Sequence, residues 1–215
     1  MKELNCDYLI VGAGAAGCVV SNRLSNNLNN NVICIEAGGK DTNLFIKIPA
    51  GFSKTVYNDK INWPYYIEET DNTDNRKIRF PRGKVVGGSS SINGHLYVRG
   101  QANDYDGWAQ KGCLGWSWSD VLPYFMKAET RPEGNKSFRG NEGPLHISDL
   151  TSPHPLANLF IETAHSIGIK KNTDYNSGDQ EGSFLYQTMI KNSMRWSASD
   201  AYLKPCLLYT SDAAD

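Results

Sequence analysis

An α/β fold built around a parallel sheet is what this sequence predicts, and three observations predict it. Residues 6–11, C-D-Y-L-I-V, form a short apolar run with β-branched character, which reads as a buried parallel strand. The run leads straight into G-A-G-A-A-G at 12–17, after which C-V-V-S-N-R-L reads as a helix. A second apolar run, V-I-C-I at 32–35, reads as a second strand and ends in Glu36, 19 residues after Gly17.

Each part of this strand–loop–helix–strand unit has a mechanical reason. Gly12 permits the tight turn out of the first strand. Gly14 lets the backbone approach a pyrophosphate with no Cβ in the way, and Gly17 lets the helix pack close to the strand. The helix N-terminus presents free N–H groups and a partial positive charge to phosphates. Glu36 can accept hydrogen bonds from an adenosine ribose, and an acid there repels a 2′-phosphate, which disfavours NADP. The pattern predicts dinucleotide binding and leaves NAD and FAD both open.

The bulk properties fit such a unit. The chain has 215 residues, 40% of them hydrophobic, and a formal net charge of −1. That length allows one or two domains with a sizeable core. The near-neutral balance provides no long-range field for nucleic acid or an anionic membrane. No apolar run approaches the ~20 residues that span a bilayer. The N-terminus does not read as a signal peptide, because its apolar stretch is short and enters a glycine loop instead of a cleavage site. Cys6, Cys18, Cys34, Cys113 and Cys206 form no C-x-x-C pair and read as reduced, buried cysteines of a cytosolic protein. His95, His146, His154 and His165 show no metal-ligand spacing.

Further along, residues 40–80 read as a long irregular stretch with an aromatic cluster, W-P-Y-Y at 63–66. Loops of that length are usually functional or cover a ligand. Residues 68–79 read as an exposed turn leading into a strand at 78–80. Residues 103–110 and 117–128 read as helices, the second interrupted at Pro123. A strand is expected over 142–148, and an amphipathic helix over 155–167 with Leu156, Leu159, Phe160, Ala164 and Ile167 on its apolar stripe. Another strand is expected over 183–190, and a helix over 197–203 capped by Ser197 or a neighbour. The last ten residues, C-L-L-Y-T-S-D-A-A-D, match the translation of a transposase adapter used in sequencing libraries. On that reading the native sequence covers 1–205, residues 206–215 are excluded from fold reasoning, and the chain is a fragment.

A second glycine-rich stretch, R-G-K-V-V-G-G-S-S-S-I-N-G-H-L-Y-V-R-G, follows at 82–100. Its glycines at 83, 87, 88 and 94 keep side chains out of a crowded backbone path, and its serines leave N–H groups accessible. Such a segment suits close approach to a pyrophosphate or a flat polar ring system. With this loop in place the chain resembles the N-terminal part of the glucose–methanol–choline (GMC) oxidoreductases, in their choline dehydrogenase-like branch. The resemblance rests on G-A-G-A-A-G (12–17), E-A-G-G (36–39), N-W (62–63), G-K-x-x-G-G-S-S-x-I-N-G (83–94), Y-V-R-G (97–100) and D-Y-D-G-W-A (104–109). W-S-W at 116–118, K-A-E-T at 127–130 and G-P-L at 143–145 add to it, and the matches run from about Asp7 to Pro205.

The resemblance implies an incomplete Rossmann-like FAD-binding domain with the start of an α+β substrate-binding domain. It implies FAD rather than NAD, with Gly12, Gly14 and Gly17 at the pyrophosphate and Glu36 and Ala37 at the ribose. Val85, Gly87, Gly88, Asn93 and Gly94 would line the path toward the isoalloxazine, and Trp63 would sit near the flavin region. Some family members attach flavin through a His in the second loop; Ile92 stands at that position here, so non-covalent FAD is expected. His95 does not match it and reads as a packing residue or a support behind the flavin contacts, with a direct flavin contact as the alternative. The family oxidises an alcohol by hydride transfer to flavin N5, with a C-terminal His as base. None of the four His here matches that motif, so no catalytic residue is expected in this chain. The partners implied are choline or another primary alcohol, oxidised to the aldehyde, and oxygen or a quinone as electron acceptor. No nucleic acid and no transmembrane segment are expected. The location implied is cytoplasmic, with room for peripheral attachment at the inner membrane. Two other readings stay open: an NAD-linked dehydrogenase and a non-catalytic flavin-binding homologue.

Overall fold

The computed structural model describes residues 3–207. They form two compact units, one comprising the chain up to His95 together with the segment from Asn192 onward, the other Leu96–Lys191. The second unit is therefore inserted in the sequence of the first.

In the first unit, strand β1 (Tyr8–Val11) leads through the glycine loop into helix α1 (Ala15–Ser25), which returns to strand β2 (Val32–Ile35). The strands are parallel and in register, Tyr8 opposite Val32 through Val11 opposite Ile35. This is the predicted βαβ order, with Cys6 lying ahead of the strand that was expected to include it. One expectation fails. β1 is not buried: Leu9 is 58% and Val11 78% exposed. A buried parallel strand needs neighbours on both edges and cover on both faces. Among the described residues this sheet has two strands and one crossover helix.

Residues 40–80 are less irregular than expected. They contain the short helices α2 (Leu44–Lys47) and α3 (Phe52–Thr55) and three 3₁₀ turns. The side chain of Asn43 caps α2 by accepting from the Phe45 N–H at 2.9 Å. The strand expected at 78–80 is a single antiparallel bridge between Tyr66 and Arg79. α2 matters because it places Ile46, wholly buried, against Val85 and Ile92 in the small apolar core of this unit. Ser197 caps the last helical segment as expected, its Oγ accepting from the Asp200 N–H at 3.3 Å. That segment opens as a π-helical turn over Ser199–Leu203 before continuing as Lys204–Leu207. Lys47 and Lys204 share two carboxylates there: Lys47 Nζ lies 3.0 Å from Asp41 and 2.9 Å from Asp200, and Lys204 Nζ 2.8 and 2.6 Å from the same two. Of the tail read as adapter sequence, residues 208–215 lie outside the described residues.

In the second unit, α4 (Ala102–Gln110) and α5 (Trp118–Ala128) are both closed by capping boxes, Gln101 with Asp104 and Ser117 with Asp120. Pro123 does not interrupt α5; the helix runs through it. The expected strand at 142–148 contracts to β4 (Leu145–His146), parallel to β3 (Glu129–Thr130). The strand expected at 183–190 reduces to a two-residue extended piece at Ile190–Lys191 with isolated bridges before it. Helix α6 (Pro155–Ser166) forms where predicted, but it buries Ile161 and Ala164. Of its expected stripe, Leu156, Leu159, Phe160 and Ile167 are exposed. Those apolar residues span too wide an arc for periodicity alone to say which edge is covered.

The second unit is centred on charge. Glu129 is wholly buried; it pairs with the charges of Arg99 at 2.8 Å and Arg139 at 3.2 Å and accepts a hydrogen bond from the Gly140 N–H at 2.9 Å. Arg99 also donates to the Phe138 carbonyl at 2.7 Å, and Arg139 to Gln187 at 2.9 Å. Burial pulls the Arg139 guanidinium below its usual range while Glu129 and Asp174 oppose it. Removing one member of a buried charged set leaves the others uncompensated, at a cost of about 3–5 kcal/mol. Glu129→Gln is therefore expected to lower the unfolding free energy of the second unit by that order, read from urea melts followed by tryptophan fluorescence. A loss below ~1 kcal/mol would show that the cluster is solvated in solution.

Candidate cofactor site

The site is built from two glycine loops in the first unit. Gly12 leaves β1 with φ +97°, a conformation an L side chain rarely adopts, and its N–H donates to the Ile35 carbonyl at 2.7 Å. A Cβ on Gly17 would overlap the carbonyl oxygen of Gly12, so glycine there is a packing requirement. A Cβ on Gly14 would meet no atom of the chain within 4 Å. Gly14 is also the N-cap of α1, with no side-chain cap and no acid in the first turn of the helix. The positive end of α1 is thus left unanswered by side chains of its own. Beneath it, Cys18 is buried and its thiol donates to the Ala13 carbonyl at 3.3 Å; burial pushes this thiol up to about 12, so it remains protonated and unreactive.

The second loop is laid directly on the first. The Gly87 N–H donates to the Ala13 carbonyl at 2.7 Å, and a Cβ on Gly88 would sit 2.8 Å from the Gly14 Cα. The Val86 N–H donates to the Gly39 carbonyl at 3.0 Å. Gly87 and Gly88 both take positive φ, which lets the chain turn into a 3₁₀ segment over Gly88–Ser91. Glu36 ties the two ends of the arrangement: one carboxylate oxygen accepts from the Ala13 N–H at 2.7 Å and the other from the Gly38 N–H at 2.8 Å.

The result is a cleft of about 570 Å³, lined by Gly12, Gly14, Glu36, Ala37, Trp63 and Gly88 from the sequence-based set, with Val11, Ile35 and Gly83 in addition. That volume is in the range of small-molecule sites. Trp63 stacks flat on Tyr65 at 5.9 Å, and Lys84 Nζ lies 4.6 Å over the Trp63 ring. The other sequence-based residues lie elsewhere. Gly17 is behind the loop, against Gly12. Gly87 is spent on the bond to Ala13. Val85 points its side chain into the core with Ile46 and Ile92. Asn93 and Gly94 do not line the cleft.

The residue that sequence reasoning missed is Arg195. It is 1% exposed, and its guanidinium donates to the Ile46 carbonyl (2.9 Å), the Ser90 carbonyl (3.2 Å), Asn93 Oδ1 (2.8 Å) and the Asn93 carbonyl (2.6 Å). No spacing in the sequence signals it, because its partners lie 102 to 149 positions earlier. His95 follows in αL conformation with φ +49° and an edge contact to Phe52 at 6.3 Å. Burial, and then the charge of Arg195, lower its imidazole to about 4, so it is neutral at pH 7. Among the described residues no group of three or more His, Cys, Asp or Glu could hold a metal, and no helix is long and apolar enough to cross a membrane.

Comparison with known proteins places this geometry. The sequence profile of GMC oxidoreductases matches residues 6–211. The chain belongs to the GMC oxidoreductase family. Its similarity to the oxygen-dependent choline dehydrogenases of Sinorhizobium fredii and Brucella anthropi is 44% and 42% identity over 204 residues, 95% of this chain. The chain spans 37% of the length of those relatives. Among solved structures, pyridoxine 4-oxidase from Mesorbium loti superposes with TM-score 0.88 at 34% identity, over 93% of this chain and 39% of that one. An FAD-dependent oxidoreductase from Chaetomium thermophilum superposes with TM-score 0.85 at 29% identity, over 94% and 36%. The βαβ unit with its two loops is thus the Rossmann-type, FAD-binding fold of GMC flavoenzymes.

Two expectations about this GMC chain follow from the geometry. In the ligand-free protein, Gly17→Ala should cost about 1–3 kcal/mol from overpacking, whereas Gly14→Ala should stay within ~1 kcal/mol; urea melts of the two variants compare them directly. His95 has its folded-state pKa below the unfolded value. The unfolded chain therefore takes up the proton first as pH falls, and stability present above about pH 6.5 is lost toward pH 4. His95→Asn, which tolerates αL, should flatten the melting temperature across that window.

Proposed function

We propose that this chain binds FAD non-covalently between its two glycine loops and belongs to an FAD-dependent oxidoreductase acting on alcohols, choline or another primary alcohol. The observation that carries the reading is Gly14. Gly12 is glycine for its backbone angle and Gly17 for packing, but nothing in the chain itself excludes a side chain at Gly14. The open space there faces an uncapped helix N-terminus and a second glycine loop, which is the setting a pyrophosphate requires. The residues fit the group. Gly12, Gly14 and Gly88 provide the close backbone approach. Glu36 keeps lone pairs for ribose hydroxyls while it fixes Ala13 and Gly38. Ala37 is small enough to lie beside it.

When bound, FAD supplies the acceptor for the hydride that an alcohol carbon gives up. The chain contributes placement: the N-terminus of α1 stabilises the diphosphate, and Trp63, stacked on Tyr65, walls the cleft beside Gly83. Ile92, where some family members carry the His that attaches flavin, is 2% exposed in the core and offers no nucleophile. That supports a non-covalent cofactor. We assign no base to this chain; the proton of the alcohol must go to a residue of the longer protein, in line with the 37% span. The similarity to oxygen-dependent choline dehydrogenases favours choline among the alcohols and oxygen as acceptor over a quinone. The reading also favours a cytoplasmic protein.

The full-length protein should purify yellow, release its flavin on acid precipitation, and oxidise choline in a screen of primary alcohols with a dye acceptor. Gly14→Asp should abolish flavin retention, since a carboxylate would stand against the diphosphate. Unchanged flavin content in that variant would refute the assignment of the first loop. A colourless wild type that binds NAD would favour a nicotinamide dehydrogenase.

A further inference from the structure

Among the described residues, Arg195 is a buried cation with no carboxylate paired to it. There its guanidinium donates to neutral oxygens: the carbonyls of Ile46, Ser90 and Asn93, and the side-chain oxygen of Asn93. The carboxylate whose field reaches it, Asp200, is held by Lys47 and Lys204. Burial lowers its pKa only to about 10, so it stays charged at neutral pH. Leaving a charge uncompensated inside a protein is costly unless something else answers it. Its field is already felt one step away, where it helps keep His95 neutral.

The position of this charge is specific. Two of its bonds pull the backbone of the second glycine loop inward, at Ser90 and Asn93. Ser90 is two residues from Gly88, which rests on Gly14 at the N-terminus of α1. A second contact from the same terminal segment reaches the same place, the Ala198 N–H donating to Ser90 Oγ at 3.1 Å. The guanidinium fork thus fixes the shape of the loop segment that follows the contact with Gly14. Its charge stands behind the loop, on the side away from water.

We propose that Arg195 is a positioning residue for the cofactor's diphosphate: it sets the 88–93 backbone through its planar fork and supplies, through that backbone, the positive charge that a bound diphosphate neutralises. This rests on the reading of the cleft as an FAD site. Lys could keep the charge but not the fork, since four oxygens in different directions need the planar guanidinium. Met could keep the aliphatic packing and neither of the other two.

The test uses the full-length apo-protein, with Arg195→Lys and Arg195→Met, titrated with FAD, ADP and adenosine. ADP carries the diphosphate and adenosine does not, so the ratio of their affinities isolates the anion. Arg195→Met is expected to lose at least tenfold in FAD and ADP affinity with adenosine binding nearly unchanged, and Arg195→Lys to recover part of the loss for ADP. A merely structural role would weaken ADP and adenosine together, and that result overturns the proposal. So does a folded Met variant with wild-type FAD affinity. If neither variant folds, Asn93→Ala decides, because it removes one acceptor of Arg195, together with the bond from the His95 N–H, and leaves the backbone bonds to Arg195. A severalfold loss of FAD affinity in Asn93→Ala supports the proposal, and no loss overturns it. A wild-type protein that takes up no FAD would instead sink the reading of the cleft.

Discussion

The contact between the two glycine loops is the constraint on which the rest of the first unit depends. A backbone N–H at Gly87 meets a backbone carbonyl at Ala13, and Gly88 rests on the α-carbon of Gly14. The approach is possible because the second loop carries no side chain there: a Cβ on Gly88 would run into the Gly14 Cα, and one on Gly87 into Ser91. Once the loops meet, the end of β1, the start of α1 and the turn after β2 are held in one place, with Glu36 bridging Ala13 and Gly38 from below. The cleft is a consequence: it is the space left in front of that contact.

Much of this was legible in the sequence, for a definable reason. The βαβ unit is local, so apolar runs, glycine spacing and the acid at position 36 were enough to place it. The second loop was legible because so many small residues in one run imply a crowded backbone path, and the resemblance to a GMC family then assigned it a cofactor. Six of the eleven residues expected at the site do line the cleft. The others do not line it, and a glycine or a Val in a motif can serve the fold behind a site as readily as the site itself, as Gly17 and Val85 do.

What the sequence hid depends on pairs far apart in the chain. Nothing in the sequence singles out Arg195 until Ile46, Ser90 and Asn93 are brought round it. The buried set of Arg99, Glu129 and Arg139 is equally silent, since the three are scattered through a polar stretch and only the fold makes them a core. The amphipathic stripe on α6 failed differently. Its period was right and its helix formed, but the neighbours that decide which apolar residues are covered left Leu156, Leu159 and Phe160 in water and took Ile161 and Ala164. Local pattern specifies an element; its buried face belongs to the tertiary structure.

The insertion of one unit inside the other has a consequence for the order of synthesis. The second glycine loop leaves the ribosome with residues 82–94, but the guanidinium that holds it arrives only with Arg195, after the whole of Leu96–Lys191. At roughly 5–20 residues per second, the loop waits about 5–20 s for its clamp. The cleft-lining residues, Val11 to Gly88, all precede that interval, so the contact between the loops does not wait for the clamp. Fixing of the backbone at Ser90 and Asn93 is the late event, set by the order of translation.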